Sequence, residues 1–172
     1  MVGNVETVIS ALNAAHVRYL IVGGVAVVLH GHLRTTADLD LVIDLEGANV
    51  TRAVTTLTSL GCRPRAPVPA EHVADEAIRR DWVETKGMTV FSLWNPQTPG
   101  FEVDIFAEAP LDFAVASARS VRAPLDTTYA PVVAIDDLLA LKRAAGRPQD
   151  LEDIAALEAL RSLDAGGDPR RG

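Results

Sequence analysis

Two carboxylates at positions 38 and 40, at the head of an apolar run, constrain this chain more than any other feature. The run Asp38-Leu39-Asp40-Leu41-Val42-Ile43 reads as a strand over Leu39–Ile43. Successive strand side chains point to opposite faces, so Asp38 and Asp40 share one face while Leu39 takes the other. Apart from the carboxylates the run is apolar on both faces, as in a central, buried strand. Two like charges on one face repel unless a cation lies between them. Mg²⁺, which takes one or two carboxylates together with substrate phosphates, suits such a pair. Just upstream, Tyr19–Val22 is a short apolar strand ended by Gly23-Gly24, and Val25–His30 is a short helix closed by Gly31. The free N–H groups and dipole at the start of that helix favour a phosphate. A phosphate cradle followed by metal-binding carboxylates points to phosphoryl or nucleotidyl transfer.

A third acid stands further along. Thr89–Trp94 and Phe101–Phe106 read as two strands joined by the turn-rich Asn95-Pro96-Gln97-Thr98-Pro99-Gly100. Within the second, Phe101, Val103 and Ile105 share one face, and Glu102, Asp104 and Phe106 the other. An aspartate between Val103 and Ile105 is costly unless it is paired or metal-bound. Asp104 is therefore a candidate either for a metal or for a salt bridge to an arginine, with Glu102 the fallback. Asp44 shares the face of Asp38 and Asp40 but lies about 13 Å beyond Asp38 along a strand, so it is assigned to capping the next turn.

The remaining segments read as scaffold. Val5, Val8, Ile9 and Leu12 recur at helical spacing behind Asn4 as N-cap, with Glu6 in the first turn. Val50–Leu60 is a second amphipathic helix ending at Gly61. Residues 62–70, with Pro64, Pro67 and Pro69 interleaved with Arg63 and Arg65, read as a surface loop. Glu71–Asp81 is a short polar helix facing inward through Val73, Ile78 and Trp82, and Leu111–Arg119 is another helix. Val121 and Val132-Val133 sit in short extended pieces. A C-terminal helical hairpin follows, from Ile135 to Gly146 and from Pro148 to about Leu163, with Pro148 in the first turn of its second helix. The spacing gives a nucleotide-handling core over 1–133, the hairpin packed on it over 134–163, and a disordered tail over 164–172. His30 and His32 flank Gly31 and are read as helix-end residues beside C-terminal carbonyls rather than as metal ligands.

Composition narrows the setting. The 172 residues carry 16 Lys and Arg against 23 Asp and Glu, a net charge of −7, so no global basic field draws the chain to nucleic acid. Its single cysteine, Cys62, permits no intrachain disulfide and fits a reducing compartment. No stretch approaches membrane-spanning length, so no membrane partner is expected and a cytoplasmic setting is.

Gly23-Gly24, thirteen intervening residues and then Asp38-Leu39-Asp40 resembles the signature of the DNA polymerase beta-like nucleotidyltransferase superfamily. Arg34-Thr35-Thr36-Ala37-Asp38-Leu39-Asp40-Leu41 looks most like its small prokaryotic AbiEii/MenT-type toxin branch, and the aminoglycoside nucleotidyltransferases share the core pattern. The run Lys142-Arg143-Ala144-Ala145-Gly146-Arg147-Pro148-Gln149-Asp150-Leu151-Glu152-Asp153-Ile154 is similar to a Lys…Arg-Pro-x-Asp-x-x-Asp segment near the C-terminal end of the AbiEii-like families. The resemblance implies an α+β nucleotidyltransferase fold, a central mixed sheet flanked by helices. It implies transfer of an NMP from an NTP to a hydroxyl-bearing acceptor, with two Mg²⁺ ions held by Asp38, Asp40 and Asp104 and the acceptor hydroxyl deprotonated with the help of Asp104. Gly23, Gly24, Arg34, Thr36 and Lys142 would serve the nucleotide, ATP or another. Asp150 and Asp153 are expected to pair with Lys142 or Arg147 and fix the hairpin.

The resemblance leaves the acceptor open: tRNA or a protein, with a cognate antitoxin as partner, in the toxin branch, or a small molecule in the antibiotic-modifying branch. A catalytically silent nucleotide-binding or protein-interaction module is the rival from another class, and a phosphohydrolase on the same metal site a third. Geometry separates the first two, because an enzyme needs Asp104 facing Asp38 and Asp40 and free of any arginine.

Overall fold

The computed structural model describes residues 2–166, with side chains from 5 to 163. In chain order the elements are α1 (Val2–Ala14), β1 (Tyr19–Ile21), α2 (Gly23–Leu29), β2 (Asp38–Ile43), α3 (Gly47–Ser59), β3 (Arg63–Pro64), a 3₁₀ turn (Ala70–Ala74), α4 (Glu76–Lys86), β4 (Val90–Trp94), β5 (Glu102–Phe106), α5 (Phe113–Ala118), β6 (Val121–Pro124), β7 (Tyr129–Val132), α6 (Ile135–Ala145) and α7 (Pro148–Gly166). The seven strands form one mixed sheet in the order β3-β4-β5-β2-β1-β7-β6. β2 lies at its centre, antiparallel to β1 and parallel to β5, and β4 and β5 form the expected hairpin. Leu39, Leu41, Val103 and Ile105, aligned pairwise across β2 and β5, are all but fully buried and anchor the apolar face. Burial of such side chains stabilises by about 1.5–3 kcal/mol each, which is what pins the register and hence the acids on the opposite face.

Local departures from the sequence reading have local causes. α1 starts at Val2, so Asn4 lies inside the helix rather than capping it, and Glu6 instead accepts from the backbone N–H and hydroxyl of Thr127. The polar helix expected over Glu71–Asp81 is broken at Asp75. That residue is extended and its carboxylate accepts from the N–H groups of Ala77 and Ile78, so a new helix starts behind it. Part of the proline-rich loop is an edge strand, Arg63 and Pro64 pairing with Trp94 and Leu93; a proline is tolerated there because nothing lies on its outer side to need its N–H. Asp44 accepts from the Glu46 N–H and pairs with Arg18, the turn-capping role expected of it. His30 Nε2 lies 2.8 Å from the Val133 carbonyl, a structural contact at the end of α2. The expected tail begins later than read, since α7 runs to Gly166; the rest of that expectation, 167–172, lies outside the described residues.

The hairpin α6–α7 is closed by Gly146 in the left-handed conformation and by a buried ion-pair cluster. Lys142 Nζ donates to Asp150 Oδ1 at 3.1 Å and to Asp153 Oδ2 at 2.6 Å, and Arg147 binds Asp150 through its backbone N–H and its guanidinium. Arg34, from the β1–β2 connection, donates to the same Asp153 oxygen at 2.6 Å. Burial opposes ionisation of Asp150, but the bonds from Arg147 and Lys142 outweigh it and hold the carboxyl down at about 2. No helix among the described residues is long and apolar enough to cross a membrane.

Candidate active site

The parallel pairing of β2 with β5 sets Asp38 opposite Glu102 and Asp40 opposite Asp104, and the antiparallel β4 sets Ser92 beside Asp104. Aligned residues on neighbouring strands share a face about 4.8 Å apart. Asp40 and Asp104 are thus side by side, with Asp38 exposed at the open end of β2. Asp104 Oδ1 is buried and has no hydrogen-bond partner among the described residues. Glu102, the fallback, is bound by Arg65, which also stacks over the Trp94 ring. The two acids have therefore parted roles: Glu102 is neutralised by a guanidinium and Asp104 is left free toward Asp40.

Burial and like charge both disfavour the ionised form of the two adjacent carboxyls. Burial first, then the charges of Asp104 and Asp38, push the Asp40 carboxyl up to about 6, against the pull of Arg147 and of the Gly24 N–H that donates to it. Burial likewise raises Asp104, with Asp38 and Glu102 adding to the shift and a hydrogen bond with Ser92 opposing it. Among the described residues no group of three or more His, Cys, Asp or Glu side chains is placed to hold a metal ion, so Asp38, Asp40 and Asp104 do not close into the expected three-carboxylate set. Asp40 and Asp104 make an open half-shell, the donor set that Mg²⁺ uses when substrate phosphates complete its coordination.

The glycines are positioned by this arrangement. Gly23 has φ +64°, and a Cβ there would lie 2.6 Å from Asp40 Cγ, so only glycine lets the strand end turn against that carboxylate. A Cβ on Gly24 would come within 2.9 Å of Thr36 Cβ and 3.3 Å of Arg34 Cζ. Gly23, Asp40 and Asp104 line one cavity; Gly24 packs against Thr36 and Arg34, which do not line it, and Asp38 lies exposed at the end of β2. Lys142 differs from its expected place: it lines the same cavity, but its side chain is only 4% exposed and its ammonium is bound to two carboxylates. Arg147, expected only as a partner for Asp150 or Asp153 and indeed paired with Asp150, also stands at the cavity, a place the sequence reading did not give it. Its side chain is 71% exposed, it borders the cavity, and its charge reaches Asp40. The signal available was its place in the two-residue link between α6 and α7, where a side chain is carried to the hairpin's end.

A cavity of about 510 Å³ opens over the carboxylates, between the β4–β5 face of the sheet and α6. The fold, a mixed sheet with Asp38 and Asp40 on its central strand, Asp104 on a neighbouring strand and a C-terminal helical region, is similar to that of several solved structures. The lincosamide antibiotic adenylyltransferase LnuA in its lincomycin-bound crystal structure is similar in fold (TM-score 0.60, 15% identity, 91% of this chain over 95% of that one). So is ANT(2'')-Ia in complex with adenylyl-2''-tobramycin (TM-score 0.60, 14% identity, 96% of this chain over 95% of that one). The same antibiotic-resistance factor in solution gives a TM-score of 0.58 at 13% identity, over 96% of this chain and 91% of that one. No family model matches the sequence, and no curated protein matches it.

Proposed function

We propose that this protein is a Mg²⁺-dependent nucleotidyltransferase that moves a nucleoside monophosphate from an NTP to a hydroxyl-bearing acceptor and releases pyrophosphate. One observation carries the reading: Asp104 Oδ1 is buried, unpartnered and adjacent to Asp40, itself pushed up to about 6. A buried carboxylate oxygen without a partner is costly, and setting it beside a second carboxylate adds a repulsion that a bound cation would offset. Asp40 and Asp104, with Asp38, would hold Mg²⁺, which when bound neutralises triphosphate charge and acidifies a coordinated hydroxyl. Asp104 would also take the acceptor proton, its unpartnered Oδ1 being the atom available to accept it. Gly23 keeps Asp40 against the turn, Gly24, Arg34 and Thr36 border the phosphates, and Arg147 faces the leaving group's charge. Lys142 serves from behind, holding Asp153 and through it Arg34. The silent-module reading is disfavoured because Asp104 is not paired with an arginine.

For the acceptor, the net charge of −7 favours a small hydroxylated molecule over a large RNA footprint. The fold neighbours point the same way, since LnuA is described with lincomycin and ANT(2'')-Ia with an adenylylated tobramycin. The toxin reading, with tRNA or a protein as acceptor and a cognate antitoxin, rests on the resemblance of Arg34–Leu41 and Lys142–Ile154 alone. Incubation with Mg²⁺ and each α-phosphate-labelled NTP, with an aminoglycoside and lincosamide panel, total RNA or cell lysate, tests both. Asp104→Asn should lower transfer at least ~100-fold. Label on a small molecule supports the favoured acceptor and label on RNA or protein the toxin branch. Wild-type protein that neither transfers label nor binds Mg²⁺-NTP overturns the proposal.

A further inference from the structure

A second cavity, of about 340 Å³, lies against α4 and shares no lining residue with the one over the carboxylates. It belongs to the other side of the sheet. Trp82 of α4 stacks on Phe91 at 5.4 Å, and Phe91 is the cross-strand partner of Ile105, which alternation turns away from Asp104. Leu45 after β2, Val83 of α4 and Ala107 after β5 give the cavity apolar walls. Set among them is the guanidinium of Arg79, a residue only 4% exposed. Among the described residues Arg79 makes no ion pair. Its Nη1 donates to the Val73 carbonyl at 2.7 Å, while Nε and Nη2 have no partner there and are not sealed off from solvent. Burial pulls the guanidinium below its usual pKa, and the charges of Glu76 and Asp75, which oppose this, act from beyond ion-pair distance. A buried cation without a counter-charge is costly. The unpartnered Nε–Nη2 edge is a fork that can hold a carboxylate through two parallel bonds.

The rim carries the opposite sign. Glu76 is taken up by Arg80 at 2.7 Å, but Glu84 and Glu108 are exposed and make no ion pair among the described residues. A simple anion would be met by two glutamates on its way to Arg79, and a simple cation would be repelled by Arg79 on the floor. A ligand that bears both charges is favoured by both ends, and the apolar walls suit an aliphatic body between them. We propose that this cavity is a second ligand site, remote from the carboxylates, for a small aliphatic zwitterion of the α-amino acid class. Arg79 holds its carboxylate, Glu84 and Glu108 its ammonium, and Leu45, Val83 and Ala107 its side chain. The site is independent of nucleotidyl transfer and does not rest on that reading.

The test is calorimetric titration of the full chain with three probes. L-Leucine carries both charges, N-acetyl-L-leucine only the carboxylate, as at a peptide C-terminus, and L-leucinamide only the ammonium, as at an N-terminus. L-Leucine is expected to bind at least about tenfold more tightly than either analogue, the worth of one charge-assisted hydrogen bond. Glu84→Gln combined with Glu108→Gln, both at exposed positions, should bring L-leucine down to the affinity of N-acetyl-L-leucine without weakening the latter. Arg79→Lys, which keeps the charge but loses the fork, should weaken L-leucine and N-acetyl-L-leucine by about tenfold or more and leave L-leucinamide unchanged. Should that buried substitution prevent folding, the glutamate substitutions carry the test alone. The proposal is overturned by no saturable binding of L-leucine up to about 10 mM, by either analogue binding as tightly as L-leucine, or by L-leucine binding indifferent to the glutamate substitutions. None of these outcomes touches the transfer proposed at Asp40 and Asp104.

Discussion

At the scale of single residues, the site is a set of mutual constraints, and Gly23 shows how tight they are. Its backbone sits at φ +64° and the Asp40 carboxylate occupies the space a side chain would need. Gly23→Ala should cost about 1–2 kcal/mol for the left-handed backbone alone and more for the displaced carboxylate. Activity should fall further than stability, because Asp40 is what must move. Urea denaturation beside the transfer assay checks this, and a variant as active as wild type would mean Asp40 has room that the structure does not give it. Much of this was legible beforehand. Alternation put Asp38 with Asp40, and the position of Asp104 between two apolar residues marked it as needing a partner. Legibility ended where partners come from elsewhere in the chain: nothing near Glu102 says that Arg65 reaches it, and nothing near Asp153 says that Arg34 does, whereas the pairing of Asp150 and Asp153 with Lys142 was expected.

Among elements, the hairpin α6–α7 is joined to the β1–β2 connection by one carboxylate, since Asp153 Oδ2 accepts from both Lys142 and Arg34. Removing one member of a buried ionic cluster strands the rest. Asp153→Ala should therefore destabilise by about 3–5 kcal/mol, and Asp153→Asn, which keeps the shape, by less. If Arg34 must be held over Gly24 to meet phosphate, the milder variant should raise KM for the NTP more than it lowers kcat. An unchanged KM would reduce the cluster to a clasp between elements. Element types were readable from periodicity, while their edges were not: Asp75 splits a helix because its side chain offers a better cap than the continuing helix does, and Arg63–Pro64 becomes a strand only because β4 lies beside it.

For the molecule as a whole, the acids that make the site also tie global stability to pH and metal. In the metal-free fold Asp40 takes up its proton near pH 6, whereas the unfolded chain does so at about 3.9. Between those values the folded state binds more protons, so stability falls as pH rises through the window. For one group the change is on the order of 1–3 kcal/mol, and Asp104, raised in the same direction, adds to it. Asp150, held at about 2, acts with the opposite sign but below this window. If the carboxylates hold Mg²⁺ as proposed, saturating Mg²⁺ should invert the slope, because an ion bound by ionised carboxylates of the folded state adds stabilisation that grows as they lose their protons. Melting temperatures from about pH 4.5 to 7.5 should thus fall in EDTA and rise, or at least flatten, in Mg²⁺. Asp40→Asn should lose most of the EDTA slope and most of the Mg²⁺ response at once, because both come from the same charge. A wild-type EDTA profile that tracks the Asp40→Asn profile would mean the carboxylates are not under electrostatic stress, and the argument for a cation between them would go with it.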